Sequence, residues 1–163
     1  VEHPGTEMIT GVDIIKEQIR IADGKKLSMS QNDVRIQGHA IECRINAEAP
    51  ERNFAPCPGL IDYLLLPAGG LGLRVDTAVY EGYEIPPFYD SMIAKVIVWA
   101  KNRTEAIRKM QSALGEVIIE GIDTNVDYQY EILDHPDFQS GNTDVEFIER
   151  MEADKQSFGI NRS

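Results

Sequence analysis

The sequence predicts an α+β fold in which helices cover a mainly antiparallel sheet. Two observations carry this expectation. Apolar residues recur at helical spacing near the start and through the last third, whereas the middle alternates apolar and polar residues between tight Pro- and Gly-containing turns. The order helix, several strands, then helices is that of a sheet layered with helices rather than a barrel or a bundle.

Taken in order, Val1 to Thr6 reads as a loop, and the stretch Met8 to Ala22 as a helix with Val12, Ile15, Ile19 and Ala22 on one stripe. Thr10 or Asp13 is its expected cap and Gly24 its end. The polar run Lys25 to Asp33 is a surface connection, and it sets the predicted boundary between a first unit, 1–33, and a second, 34–163. From Ala40 to Glu48 the alternation places Ile41, Cys43 and Ile45 on one face and Glu42, Arg44 and Asn46 on the other, a half-buried strand with a charged side. Pro50, Pro56, Pro58 and Gly59 bracket a loop. Leu60 to Leu66, Leu73 to Val79 and Ala94 to Ala100 read as strands, with a flexible turn at Pro67 to Gly72. A helix follows from Thr104, with Ala106, Met110, Ala113, Leu114 and Val117 as its buried stripe. Two more are expected at Asn125 to Asp134, stopping before Pro136, and at Asp144 to Met151.

The chain has 27 acidic and 16 basic residues, a formal net charge of −11, which repels nucleic-acid backbones and anionic membrane surfaces at long range. No run approaches the length and apolarity of a membrane span. Cys43 and Cys57 lack paired metal or redox spacing and read as reduced structural thiols in a cytoplasmic protein. The chain opens at Val1 without a methionine, which reads as a piece of a longer protein.

Three polar clusters stand out. Val1-Glu2-His3-Pro4 sets a carboxylate beside an imidazole, either a base or an exposed loop. Glu42, Arg44, Asn46 and Glu48 share one strand face, where Arg44 offers a forked, permanent cation to an oxyanion or an ion pair to a neighbouring carboxylate. Pro86 to Lys95 places Tyr89, Asp90 and Ser91 after a stiff turn, as a site-bearing loop or a simple hydrogen-bonded turn. His39 and His135 have no partner at ligand spacing, so no metal site is expected in this chain. No phosphate-binding loop or dinucleotide fingerprint is present, and Gly69, Gly70 and Gly72 fit a hairpin turn.

Four collinear phrases go further: Val-Glu-His-Pro-Gly-Thr-Glu-Met-Ile-Thr-Gly-Val-Asp from Val1, Gly-His-Ala-Ile-Glu-Cys-Arg-Ile-Asn-Ala-Glu from Gly38, Tyr-Asp-Ser-Met-Ile-Ala-Lys from Tyr89, and Gly-Ile-Asp-Thr-Asn-Val from Gly121. Together they resemble the C-terminal part of biotin carboxylases, over nearly all of residues 1–150. The resemblance implies that 1–33 ends the central region of an ATP-grasp enzyme and that 34–163 is its C-terminal domain. Such enzymes use ATP and magnesium to activate bicarbonate and carboxylate biotin on a carrier protein.

Carried over by position, Glu2 looks like the bicarbonate-deprotonating base, with Val1 giving a backbone contact to that anion. Arg44 resembles the biotin-binding arginine that stabilises the enolate, Val145 an adenine contact, and Leu71 and Arg74 dimer-interface positions. The family's phosphate lid, nucleotide lysines, magnesium carboxylates and a further catalytic arginine belong to sequence before Val1. The chain alone is therefore expected to bind no cofactor and to be inactive. Implied partners are a biotin carboxyl carrier protein, carboxyltransferase subunits and a second copy of the complete enzyme. The implied setting is acetyl-CoA carboxylation in fatty acid synthesis, with pyruvate or propionyl-CoA carboxylases as alternatives. A docking or dimerisation module without turnover, or a carbamoyl-phosphate synthetase, are competing readings; the strand around Arg44 favours biotin.

Overall fold

The computed structural model describes residues 3–159, with side chains up to 155. At its centre three antiparallel strands run in the order β1 (His39–Asn46), β8 (Met92–Ala100), β6 (Leu73–Thr77). Register explains the two faces. Ile41, Cys43 and Ile45 lie opposite Val98, Val96 and Ala94, while Glu42 and Arg44 lie opposite Ile97 and Lys95. The first face packs on helix α3 (Arg103–Gly115), whose Ala106, Ile107, Met110, Ala113 and Leu114 are buried in one core with the strands. That helix starts at Arg103 and is capped by Asn102, which accepts from the Glu105 amide.

The opposite, polar face is covered in part by α1 (His3–Thr10), which packs on β1 and β8. The expected loop through Thr6 is thus helix from His3 onward, because Pro4 is compatible with a first helical turn and is itself buried against the sheet. The single helix expected over Met8–Ala22 is two. Gly11, at φ 71°, closes α1 with a hydrogen bond from its amide to the Glu7 carbonyl, and Asp13 caps α2 (Ile14–Ala22) through the Lys16 amide.

The remaining strands are short: β2 (Glu48–Ala49) pairs β3 (Ala55–Pro56), β4 (Gly59–Leu60) pairs β7 (Glu84–Ile85), and β5 (Tyr63–Leu65) pairs β9 (Ile118–Glu120). The strand expected over Leu60–Leu66 is therefore broken between two different partners. Beyond α3, helices α4 (Val126–Asp134) and α5 (Pro136–Ser140) share His135 as junction, and α6 (Phe147–Gly159) docks Phe147 and Met151 on Tyr128. The last helix starts three residues later than expected from Asp144, whose carboxylate instead accepts from the Glu146 amide and pairs with Arg150. No helix among the described residues is long and apolar enough to cross a membrane.

Candidate functional site

The polar face of the central sheet is organised in rows. Arg44, Lys95 and Asp76 form one row across β1, β8 and β6; Glu42, Ile97 and Arg74 form the next. Facing cations in antiparallel register repel, so the Arg44–Lys95 pairing is held against its own electrostatics by the surrounding carboxylates. Arg74 is clamped bidentately by Asp76 at 2.7 Å and reaches Glu7 of α1 at 3.4 Å. These carboxylates raise the proton affinity of the Arg74 guanidinium above its ordinary value, the Asp76 hydrogen bonds most of all.

The ion pair found for Arg44 among the described residues is to Asp90, far from it in sequence. Arg44 Nη2 meets the Asp90 Oδ2 at 3.3 Å, while Asp90 Oδ1 accepts from the Met92 amide at 2.8 Å. The turn carboxylate is thus anchored to backbone and steers the guanidinium. Arg44 Nε is buried and, among the described residues, finds no acceptor. A buried N–H of a cation without an acceptor is costly and calls for an explanation. Glu48 accepts from Ser91 Oγ at 2.5 Å and Asn46 Nδ2 at 3.2 Å, tying the strand end to the same turn. Beside this cluster lies a cleft of about 450 Å³, lined among others by Asp76, Tyr83, Tyr89, Asp90 and Lys95.

The structure therefore brings together the second and third sequence clusters, Arg44 with Asp90, Ser91 and Lys95. Glu2 and Val1 lie outside the described residues. Val145 stands in the loop between α5 and α6, 99% exposed. Leu71 protrudes, 95% exposed, from a turn whose backbone is pinned by Lys109 Nζ donating to the Leu71 and Trp99 carbonyls. Among the described residues no group of three His, Cys, Asp or Glu is gathered in metal-binding geometry.

One contributor was missed by sequence reasoning. Asn125, at the start of α4, is 5% exposed and bonds the β1 backbone through both side-chain atoms. An asparagine before a helix reads as its cap, and nothing in the sequence says it caps a strand instead. Behind Arg44 the thiol of Cys43 is pushed up to about 12 by burial and, second, by Glu42, which makes it an inert core group.

Comparison with known proteins places this geometry in a family. The chain is 57% identical over 149 residues to Biotin carboxylase 1 of Bacillus subtilis, covering 91% of this chain and 33% of the relative. It is 54% identical over 149 residues to a pyruvate carboxylase subunit of Methanothermobacter thermautotrophicus, covering 91% and 30%. Among solved structures, the biotin carboxylase domain dimer of the Hydrogenobacter thermophilus 2-oxoglutarate carboxylase, in complex with MgADP, ADP and bicarbonate, superposes with a TM-score of 0.89. It shares 50% identity and is covered to 33% of its length by 92% of this chain. The chain thus spans about a third of the length of the curated relatives it matches. Residues 1–30 match the Carbamoyl-phosphate synthase L chain, ATP binding domain. Residues 42–150, the strands and helices that build the Arg44 face, match the Biotin carboxylase C-terminal domain, and the chain belongs to that family.

Proposed function

We propose that this chain forms the biotin-facing part of an ATP-dependent biotin carboxylase. The observation that carries the reading is Arg44: a guanidinium steered by Asp90, facing Lys95, with a buried Nε that lacks an acceptor among the described residues. Biotin becomes nucleophilic when its ureido N–H is lost and negative charge gathers on the ureido oxygen. A fixed guanidinium aimed at that oxygen stabilises the transition state more than the neutral ground state. The ureido nitrogen then takes the carboxyl group from bicarbonate activated by ATP, its bond to phosphate breaking, and the inorganic phosphate released carries off the ureido proton. ATP and magnesium, when bound, supply the activation of bicarbonate; this chain's residues act on the acceptor.

In the same reading Glu2 is the base toward bicarbonate, Val1 contacts that anion, and Val145 covers the adenine. Leu71, held outward by its pinned turn, and Arg74 belong to the dimer interface. The unit boundary falls at 33/34, within the interval between the two family matches. The complete enzyme is cytoplasmic and works with a biotin carboxyl carrier protein and carboxyltransferase subunits in acetyl-CoA carboxylation for fatty acid synthesis. Its similarity to a pyruvate carboxylase keeps pyruvate as the second acceptor to assay.

The test is Arg44→Ala in the complete enzyme, with two activities measured side by side. Biotin carboxylation should fall about 10²-fold or more, the usual cost of losing an oxyanion donor. Bicarbonate-dependent ATP hydrolysis without biotin precedes enolate formation and should be largely kept. Parallel losses would make Arg44 a structural partner of Asp90 only.

A further inference from the structure

Strand β1 is an edge strand, and just past Arg44 its register slips: Ile45 faces Ala94, but Asn46 faces Met92. The unpaired extra residue is Ile93 on β8, so the end of β1 loses its regular ladder partners there. Residues 44 and 46 turn their backbone polar groups to the same side of a strand, because alternate residues share an edge. At that outer edge stands the first turn of α4.

Asn125 meets three of these groups. Its Oδ1 accepts from the Asn46 amide at 2.9 Å, its Nδ2 donates to the Arg44 carbonyl at 3.1 Å, and its own backbone amide donates to the Asn46 carbonyl at 3.2 Å. Gln129, one helical turn on, adds a longer contact to the Arg44 carbonyl at 3.5 Å. Asn125 holds the N-cap position of α4 yet makes no side-chain capping bond there. A capping asparagine ordinarily stabilises its own helix; this one leaves that helix end uncapped and gives both side-chain functions to the strand that carries Arg44.

We infer that Asn125 is a positioning residue for the reaction: it fixes the β1 backbone at Arg44 and Asn46, where the ladder to β8 becomes irregular, and thereby the direction in which the guanidinium points. The inference rests on the reading of Arg44 as the group that stabilises the biotin enolate. Asp90 holds the tip of the side chain and Asn125 holds its root, so the two act from opposite ends. Asn125 touches no substrate, and its effect should show in the step that Arg44 serves.

In the complete carboxylase, Asn125→Ala should lower kcat for biotin carboxylation by about tenfold to a hundredfold, the scale of a misplacement near 1 Å in a reacting group. Biotin-independent, bicarbonate-dependent ATP hydrolysis should stay within about twofold, since positioning on the biotin side does not enter that step. Asn125→Asp keeps the acceptor for the Asn46 amide but sets an oxygen against the Arg44 carbonyl. It should give an intermediate loss, and it serves if the alanine variant fails to fold by circular dichroism. Hydrogen exchange at the Asn46 amide should quicken in Asn125→Ala and stay slow in Asn125→Asp. Arg44→Ala run beside them separates the two claims. If Arg44→Ala splits the activities and neither Asn125 variant does, the inference fails alone. If Arg44→Ala itself lowers both in parallel, the reading of Arg44 fails and the inference falls with it.

Discussion

Arg44 could be picked out by alternation, because a charged residue flanked by Cys43 and Ile45 on a strand has only one face to occupy. Its true partner could not. Glu42 and Glu48 are near in sequence, whereas Asp90 arrives from a turn 46 residues away. The same limit hid Asn125. His39 shows a further consequence of such distant pairing. Its Nε2 lies 3.2 Å from Arg103 Nη1, and since a guanidinium only donates, the ring accepts and is neutral. Burial first, and the Arg103 charge second, lower its proton affinity below the ordinary histidine value. The unfolded chain therefore takes up the proton first as pH falls. Stability from His39 is complete above about pH 6.5 and is lost as pH drops from there through the folded-state value. Urea midpoints measured at about pH 7.5 and about pH 5.5 should diverge more for the parent chain than for His39→Gln. Equal divergence would remove His39 from the acid response.

Among elements, the long ones were legible and the short ones were not. β1, β8 and α3 carry enough residues for their type to show; the α3 stripe holds Ala106, Met110, Ala113 and Leu114 as the spacing put it, but Val117 lies past the helix end, and β8 is buried on both faces with no alternation to read. Two-residue strands such as β2, β3, β4 and β7 have no period to read. Leu60 to Leu66 reads as one strand because Asp62 alone interrupts its apolar run, yet Leu60 pairs with Glu84 and Tyr63 with Glu120. The glycine-rich segment is a turn, as its composition implies, and the structure adds why Gly72 must be glycine. It sits at φ 73°, and a Cβ there would lie 2.5 Å from the Trp99 carbonyl oxygen, while its own carbonyl accepts from the Trp99 amide at 2.7 Å. Gly72→Ala should destabilise the chain by about 1–3 kcal/mol, from left-handed strain plus backbone displacement. A thermal melt within about a degree of the parent, against the several degrees such a loss implies, would show that the turn adapts freely.

For the whole molecule, composition and charge oppose a general attraction to nucleic-acid backbones and anionic membrane surfaces but say nothing of biotin; that came from collinear phrases and from the Arg44 face. α2 presents Ile15, Ile19 and Ile21 largely to solvent in this chain, and the chain spans about a third of its relatives' length. Both observations fit a module that completes its packing and its chemistry only with further protein. The most direct test uses the chain twice. It is assayed alone for phosphate release with ATP, magnesium, bicarbonate and biotin, and again after replacing the corresponding third of Biotin carboxylase 1 of Bacillus subtilis. The chain alone, folded by circular dichroism, should release no bicarbonate-dependent phosphate, and the graft should carboxylate biotin at a rate that Arg44→Ala lowers about 10²-fold or more. Bicarbonate-dependent turnover by the chain alone, or a folded graft that hydrolyses ATP but never carboxylates biotin, would contradict the assignment of this chain as the biotin-facing part of the enzyme.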